Sequence, residues 1–488
     1  MTFTDKSNNE GAFQLERRSD PNSSNLTLLP SFLRTQSETS TGSKYTFTDT
    51  IPSGTNACYE VLVWDEFVSY DDLSNDVCTT PLPTLPQPTD GAGAASFVVS
   101  NTSTGGAGAN NPITIGSDNR GIAPYYLNGE LGGSRDLAVA HCDDIECTTV
   151  HTHTIDTAGD VGRYASLRIG SDGLPLISYV TDTNSSGGLL RTLKVAHCTD
   201  VTCSSAAVST VDGNGTNNFV GGQTALAIAP DGRGSIAYVN GDADPNTPDK
   251  LKMAHCANVA CTSSTTTVID PDIGVPNSDQ GQVSMATSPN GVIYISYSDG
   301  SINTGPADLK VIGCNSNCSS FFARVTVDQT GDSGQSSSLT IGRDGLPLIS
   351  YRHSGAGNVD LMVGHCQNVY CSWITRNTID QVGLDPVGSA RPLHSSIAIG
   401  ADGLGIISYY DWAGANLKVA HCGDLVCSSA TSIKAVDEFG DVGRFNSITV
   451  GTDGLPLIAY RDISNNAVKT IHCADYACQK DLGTIFRK

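Results

Sequence analysis

A cysteine that follows a histidine, with a second cysteine four or five residues on, can hold a metal, run thiol redox chemistry or close a disulfide. This chain presents seven cysteine pairs, six of them after a histidine, at Cys142/Cys147, Cys198/Cys203, Cys256/Cys261, Cys314/Cys318, Cys366/Cys371, Cys422/Cys427 and Cys473/Cys478. Strand geometry disfavours the metal. Each first cysteine ends a short run such as Leu417-Lys-Val-Ala-His421, and neighbours on a strand point to opposite faces, so His421 and Cys422 diverge. In the fourth pair Gly313 stands in the place of the histidine while both cysteines stay. No Cys-x-x-Cys-His occurs to hold a haem. The pairs are therefore expected to be disulfides that staple a turn, worth about 2 kcal/mol each in the chain-entropy model. The histidines are expected to be satisfied strand residues.

Other residues could bind a ligand. Asp156-Thr-Ala-Gly-Asp160-Val-Gly-Arg163 recurs as Asp437-Glu-Phe-Gly-Asp441-Val-Gly-Arg444, with a variant at Asp328 to Gly334. A feature repeated this often is expected to hold the fold together, with aspartates capping turns and arginines pairing beside them. Positions that break the repeat are better candidates. Asp242 and Asp244 lie in an acidic insertion, Tyr410 and Trp412 place two aromatics on one loop, and Arg391 and His394 replace the common loop entering the same repeat. Aromatic and polar groups together suit a sugar or a peptide. An Asp-Gly also recurs, but without the alternating acids of a calcium loop. It is expected to be a turn whose glycine takes positive φ. No cofactor is expected; calcium is possible but not predicted.

The elements that position these residues follow from the spacing. First cysteines lie 56, 58, 58, 52, 56 and 51 residues apart, so one supersecondary unit is copied in tandem. Between Ser166 and Asp212 four strands can be read: Ser166–Gly170, Leu174–Tyr179 after the Asp172-Gly173 turn, Leu193–Cys198, and Ala207–Asp212. Four short antiparallel strands per repeat make a propeller blade. Seven copies predict an all-β, seven-bladed β-propeller over 96–488. Either Ser96–Asn101 or Leu482–Phe486 would complete the last blade. The Asp-Gly repeat differs from the Asp-box of sialidases, which needs Asp-x-Gly followed by an aromatic.

Ahead of the repeats, 81–95 is a proline-rich, stiff linker. Residues 1–80 resemble a bacterial fibronectin type III domain, through Phe3-Thr-Asp-Lys-Ser-Asn-Asn-Glu-Gly-Ala-Phe13-Gln-Leu-Glu-Arg17, Tyr45-Thr-Phe-Thr-Asp-Thr-Ile-Pro-Ser-Gly54 and Cys58-Tyr-Glu-Val-Leu-Val-Trp64. The resemblance implies a β-sandwich and a bacterial source. It lacks the family's first strand, and Phe3 replaces the usual tryptophan. Cys58 and Cys78 are symmetric about position 68, which suits a cross-strand disulfide.

With 28 basic and 50 acidic residues the net charge is −22, which repels nucleic acid and anionic membranes. No run of 18 apolar residues is present to insert in a membrane. Sixteen cysteines in a Gly-, Ser- and Thr-rich chain point to an oxidising, extracellular or cell-surface location, although the opening Met-Thr-Phe-Thr-Asp-Lys is not a signal peptide. The even spread of features predicts a non-catalytic protein. It would bind a glycan or protein, or assemble with copies of itself by strand addition at an unpaired edge. The alternative is a carbohydrate-active enzyme, a glycoside hydrolase or lyase, with its site on the channel face.

Overall fold

Along Arg191-Thr-Leu-Lys-Val, the residues Arg191, Leu193 and Val195 are buried and Thr192 and Lys194 only partly so, the two-residue period of a strand with one face in a core. This run lies in the third strand of an antiparallel sheet made of Asp160–Ile169, Pro175–Ser185, Gly188–Cys198 and Ala206–Asp212. In the computed structural model that sheet is one of a repeated series, and the fold is all-β and propeller-like. Numbered in chain order it is sheet two. Sheet one runs from Thr114–Ile115 to Val150–Asp156 and sheet three from Phe219–Ile228 to Ser264–Asp270. Sheet four runs from Val283–Thr287 to Phe321–Asp328, sheet five from Asp332–Ile341 to Ile374–Leu384, and sheet six from Ser395–Ile399 to Ala430–Asp437. Sheet seven combines Val442–Val450, Pro456–Asp462 and Ala467–His472 with Ser96–Ser100, which pairs antiparallel to Ala467–His472. Strand Ser96–Ser100 therefore completes the last sheet; residues 482–486 lie outside the described residues.

The structure describes residues 112–128, 135–185, 188–213, 219–241, 249–274, 283–300, 306–355, 357–384 and 393–479, with the backbone of nine strands in 2–100. It divides into two compact units, Met1–Asp90 with Ala401–Gly403, and Gly91–Gly400 with Leu404–Lys488. In the first unit, Ala12–Arg18 pairs antiparallel with Cys58–Asp65, and the register sets Cys58 opposite Cys78. The side chains that carry the fibronectin type III reading, the 81–95 linker and the Cys58 and Cys78 sulfurs lie outside the described residues.

Cores form between neighbouring sheets. Leu137 and Val139 of sheet one pack with Val161, Leu167, Ile177 and Tyr179 of sheet two. Leu457 and Ala459 of sheet seven pack with Ile113, Ala123 and the cysteines of sheet one. Burying each such side chain contributes roughly 1.5–3 kcal/mol.

Two polar devices join the sheets. The first is a belt of serines on the first strands. Ser166 Oγ accepts from Leu226 N (3.1 Å), Ser284 Oγ from Leu339 N (2.9 Å), Ser338 Oγ from Ile397 N (3.2 Å), Ser396 Oγ from Ile448 N (3.2 Å) and Ser447 Oγ from Ile113 N (3.2 Å). The last of these carries the belt from sheet seven to sheet one. The second is a tyrosine clasp. Tyr179 donates to Asp156 at the end of the preceding sheet (2.7 Å), as Tyr238 does to Asp212, Tyr297 to Asp270, Tyr351 to Asp328, Tyr409 to Asp380 and Tyr460 to Asp437. Lys194 adds an ion pair to Asp156 at 3.0 Å, and Lys252 one to Asp212. Burial pushes the Tyr179 hydroxyl up, and its hydrogen bond to Asp156 adds to the effect. Burial would raise Asp156 as well, but the Tyr179 hydroxyl, the Ala158 amide and Lys194 outweigh it and hold the carboxyl low.

One rim carries the cysteines. The seven expected pairs are all disulfides: Cys142–Cys147, Cys198–Cys203, Cys256–Cys261, Cys314–Cys318, Cys366–Cys371, Cys422–Cys427 and Cys473–Cys478. Each closes a turn with its Cα atoms 4.7 to 5.1 Å apart. The spacing assigned positive φ to the Asp-Gly glycines only, and here the backbone differs. Cys147, Cys203, Cys261, Cys318, Cys371, Cys427 and Cys478 all have positive φ, between 48° and 57°. That conformation costs a non-glycine residue about 1–2 kcal/mol. The staple holds the turn there.

The Asp-Gly turns lie on the same rim. Gly173 has φ +80° and Asp172 caps the Leu174 amide with one oxygen. Its other oxygen meets His197 Nε2 at 2.8 Å. The same pairing joins His141 to Asp118, His255 to Asp231, His365 to Asp344 and His472 to Asp453. The histidine beside each of these cysteines thus ties the third strand to the first turn. In sheet four Gly313 leaves room for the Tyr294 ring, whose hydroxyl donates to Val369 O of the next sheet.

Candidate functional site

Among the described residues, the opposite rim gathers loops that enter first strands, at 157–159, 329–331 and 438–441, and loops that join second to third strands, at 412–415 and 463–466. Entry is made by a bulge. Gly162 has φ +102° because a Cβ there would lie 2.8 Å from the Leu137 Cα, and Gly334 and Gly443 pack the same way on Leu309 and Leu417. Two residues on, Tyr164, Ser336 and Phe445 sit in the left-handed region, and His394 does so on entering sheet six. The strand register shifts beside Tyr164, Ser336 and Phe445, as expected of a bulge that re-aims side chains.

These bulges surround a central cavity of about 160 Å³ whose lining comes from all seven first strands and includes Ser166, Gln223, Ser336, His394, Phe445 and Asn446. At its mouth two clusters repeat one plan. Tyr126 donates to Asp160 (2.6 Å), Arg163 pairs with Asp160 and lies over the Tyr126 ring at 5.3 Å, and Arg135 meets Asp160 at 2.7 Å. Between sheets six and seven, Tyr410 donates to Asp441 (2.9 Å) while Arg444 pairs with Asp441 at 2.8 Å and lies over the Tyr410 ring at 5.2 Å. Burial and the bond to Asp441 push the Tyr410 hydroxyl up to about 12. Burial and Asp160 do the same to Tyr126. Arg444 stays high because Tyr410 and Asp441 outweigh its burial.

The second cluster is extended by His394. Its ring lies 4.1 Å from that of Phe445, its carbonyl accepts from Asn446 Nδ2 at 2.6 Å, and burial, with help from Arg444, drives its imidazole down to about 3. His394 is thus neutral in the folded protein above a pH of about 3.

Of the ligand-binding candidates, His394 lines the cavity. Tyr410 is buried with its hydroxyl on Asp441, and Trp412, 6.2 Å from the Tyr410 ring, packs against the core between sheets five and six. Arg391, Asp242 and Asp244 lie outside the described residues. Phe445, Asn446 and the serine belt were not singled out from the sequence. The signal was there, in the serines that recur near the middle of the first strands and the Gly-Arg that precedes the left-handed residue. Among the described residues no group of three His, Cys, Asp or Glu side chains could hold a metal. Ser235, His255 and Asp231 do stand in hydrogen-bonded order, at 2.8 and 3.0 Å. Ser235 is fully buried and donates to Ser316 O, so it cannot reach a substrate.

No family model matches the sequence, and no curated protein matches it. Solved structures do match the fold. A polysaccharide lyase of family PL25, an ulvan lyase bound to -[GlcA(1-4)Rha3S]-, superposes with a TM-score of 0.50 at 10% identity, over 78% of this chain and 98% of that one. An alpha-L-arabinanase of Penicillium chrysogenum complexed with arabinobiose gives 0.46 at 12% identity, over 81% and 99%. An alpha-L-arabinofuranosidase of Fusarium graminearum gives 0.47 at 12% identity, over 78% and 98%. At these identities the likeness bears on the fold. The expectation of a non-catalytic binding or assembly protein is corrected here: the ulvan lyase that shares this propeller-like fold is a carbohydrate-active enzyme.

Proposed function

We propose that the chain is a carbohydrate-active enzyme of the lyase type, acting on a uronate-containing polysaccharide at the channel face of a seven-bladed propeller. The observation that carries the reading is that His394 and Phe445, which line the cavity, pack against each other, while Tyr410 bonds to the His394 backbone and lies under Arg444. An aromatic ring, a partly exposed guanidinium and a neutral imidazole suit an acidic sugar. The carboxylates of these two clusters are already committed, Asp441 to Tyr410 and Arg444, and Asp160 to Tyr126, Arg135 and Arg163, and the described aspartates that burial holds high, Asp308 and Asp360, belong to the third strands of sheets four and five. Asp160 is held low despite its burial. Hydrolysis asks for a carboxyl with raised pKa as proton donor; elimination does not. It passes the C5 proton of a uronate to a base, delivers a proton to the departing C4 oxygen so that it leaves as an alcohol, and turns the C5–H electron pair into a C4–C5 double bond.

The wider organisation we propose is a fibronectin type III-like domain at 1–80, a linker at 81–95 and the propeller at 96–488. Seven disulfides support an extracellular setting, and no described helix is long and apolar enough to cross a membrane. The test is to incubate the purified chain with uronate-containing and neutral polysaccharides, following both the ultraviolet absorbance of unsaturated ends and the release of reducing ends. Cleavage with absorbance, reduced about tenfold or more in kcat/KM by Arg444→Ala and His394→Ala, is expected. Reducing ends without absorbance would move the reading to hydrolysis, and no cleavage of any polysaccharide would remove it.

A further inference from the structure

The first strands align residue by residue through the serine belt. Two residues after the belt position the side chains are Thr114, Ala227, Ala286, Thr340, Ala398 and Thr449, except in sheet two, where Arg168 stands. Six small residues and one arginine is the sharpest break of the repeat inside the ring. Arg168 lines the cavity of about 160 Å³ toward the loop rim and also a second cavity of about 460 Å³ toward the Asp-Gly rim. It therefore stands in the channel between the two. Nη1 donates to its neighbour's carbonyl, Leu167 O, at 2.8 Å. Among the described residues no carboxylate pairs with it, in a chain of net charge −22 where most of the other described arginines have an aspartate. Burial alone pulls its guanidinium below the usual arginine range. A cation enclosed without a counter-charge is unfavourable until one joins it. Hydroxyl donors are close by. Ser166, Ser338, Ser396 and Ser447 each accept a backbone amide and keep their own hydrogen to give.

We propose that the channel binds a small oxyanion at Arg168, held by the guanidinium and the belt hydroxyls. The oxyanion is either free or carried on a saccharide as a carboxylate or sulfate. The site stands apart from the enzymatic reading, since it is seen by binding and not by cleavage.

Titration calorimetry and thermal melts on the full chain test it. The probes are sodium sulfate, sodium glucuronate and glucose at matched ionic strength, on wild type, Arg168→Thr and Arg168→Lys. Threonine already fills this position in sheets one, five and seven, so that variant keeps the repeat's own packing. Saturable sulfate or glucuronate binding with a rise in Tm is expected for wild type, with none for glucose. Arg168→Thr should weaken it about ten- to hundredfold, and Arg168→Lys less. Tighter binding of sulfate would identify a free oxyanion, and tighter binding of glucuronate a saccharide acid. Equal anion affinity in wild type and Arg168→Thr would overturn the proposal, as would no binding to wild type at all.

Discussion

The two rims of the sheets are built from similar residues to different ends. On the cysteine rim every sheet repeats the same parts: a disulfide with a left-handed second cysteine, and an Asp-Gly turn or its variant. In most sheets the turn's aspartate also meets the third-strand histidine. On the loop rim the same aspartate chemistry serves contacts between sheets, and the plan is interrupted. His394 takes the left-handed position without the preceding glycine, and Ser333 replaces the valine of Val161 and Val442. The difference teaches that covalent staples secure each sheet, while neighbouring sheets are joined by the serine belt and the tyrosine clasps, with further bonds such as Tyr294 to Val369 O on the cysteine rim.

Breaking a sheet-to-sheet clasp should do the most damage. Asp328→Ala removes the buried acceptor shared by the Tyr351 hydroxyl and Arg376, which should cost about 3–5 kcal/mol in urea unfolding. A loss under 1 kcal/mol would show that the clasps are not what joins the sheets. On the other rim, Cys198→Ala with Cys203→Ala removes one staple and should cost about 2 kcal/mol. Wild type should show no reactive thiol in denaturant without reductant among these seven pairs. Free thiols there would undo the contrast between rims.

The pH dependence sharpens the comparison further. His394 is depressed when folded, so the unfolded chain binds a proton that the folded one refuses as pH falls from about 6.5 toward about 3. In that window its contribution to stability falls with pH at a slope of about 1.4 kcal/mol per unit. His394→Asn should flatten this slope. Asp156 and Asp328, held low, act lower, adding stability above about 4 that is lost as pH falls through their folded pKa values. The smallest effect is expected from His197→Ala. Asp172 keeps the Leu174 amide and the pair is partly exposed, so the loss should stay within about 1 kcal/mol. A larger loss would make the histidine pairs principal supports of the cysteine rim.

The parts legible from sequence are local. A two-residue alternation, an Asp-Gly turn and cysteines four or five apart each act within a few residues, so strands, turns and staples could be read from their spacing. The left-handed backbone at Cys261, Cys371 and their counterparts was not, because spacing sets which sulfurs can meet and leaves φ open. The tyrosine clasp was not read either, although Tyr179 and Asp156 are only 23 positions apart, because nothing in the alternation says which sheet's aspartate a tyrosine faces. Nor did spacing choose between the two closing segments. Ser96–Ser100 does so because its backbone can ladder onto Ala467–His472 across the whole length of the repeat array.

The sequence by itself determined that the chain is a tandem array of small antiparallel sheets stapled at one rim. Only the tertiary structure decided where the ring meets itself, through Ser447 and Ile113, 334 residues apart. It alone brought His394, Phe445, Arg444 and Tyr410 to one mouth and left Arg168 facing the channel. The reason is physical: except where Ser96–Ser100 closes the last sheet, hydrogen-bond patterns within a sheet are set by neighbours in the chain. The surroundings of a channel side chain come from seven strands, and they exist only once those strands stand side by side.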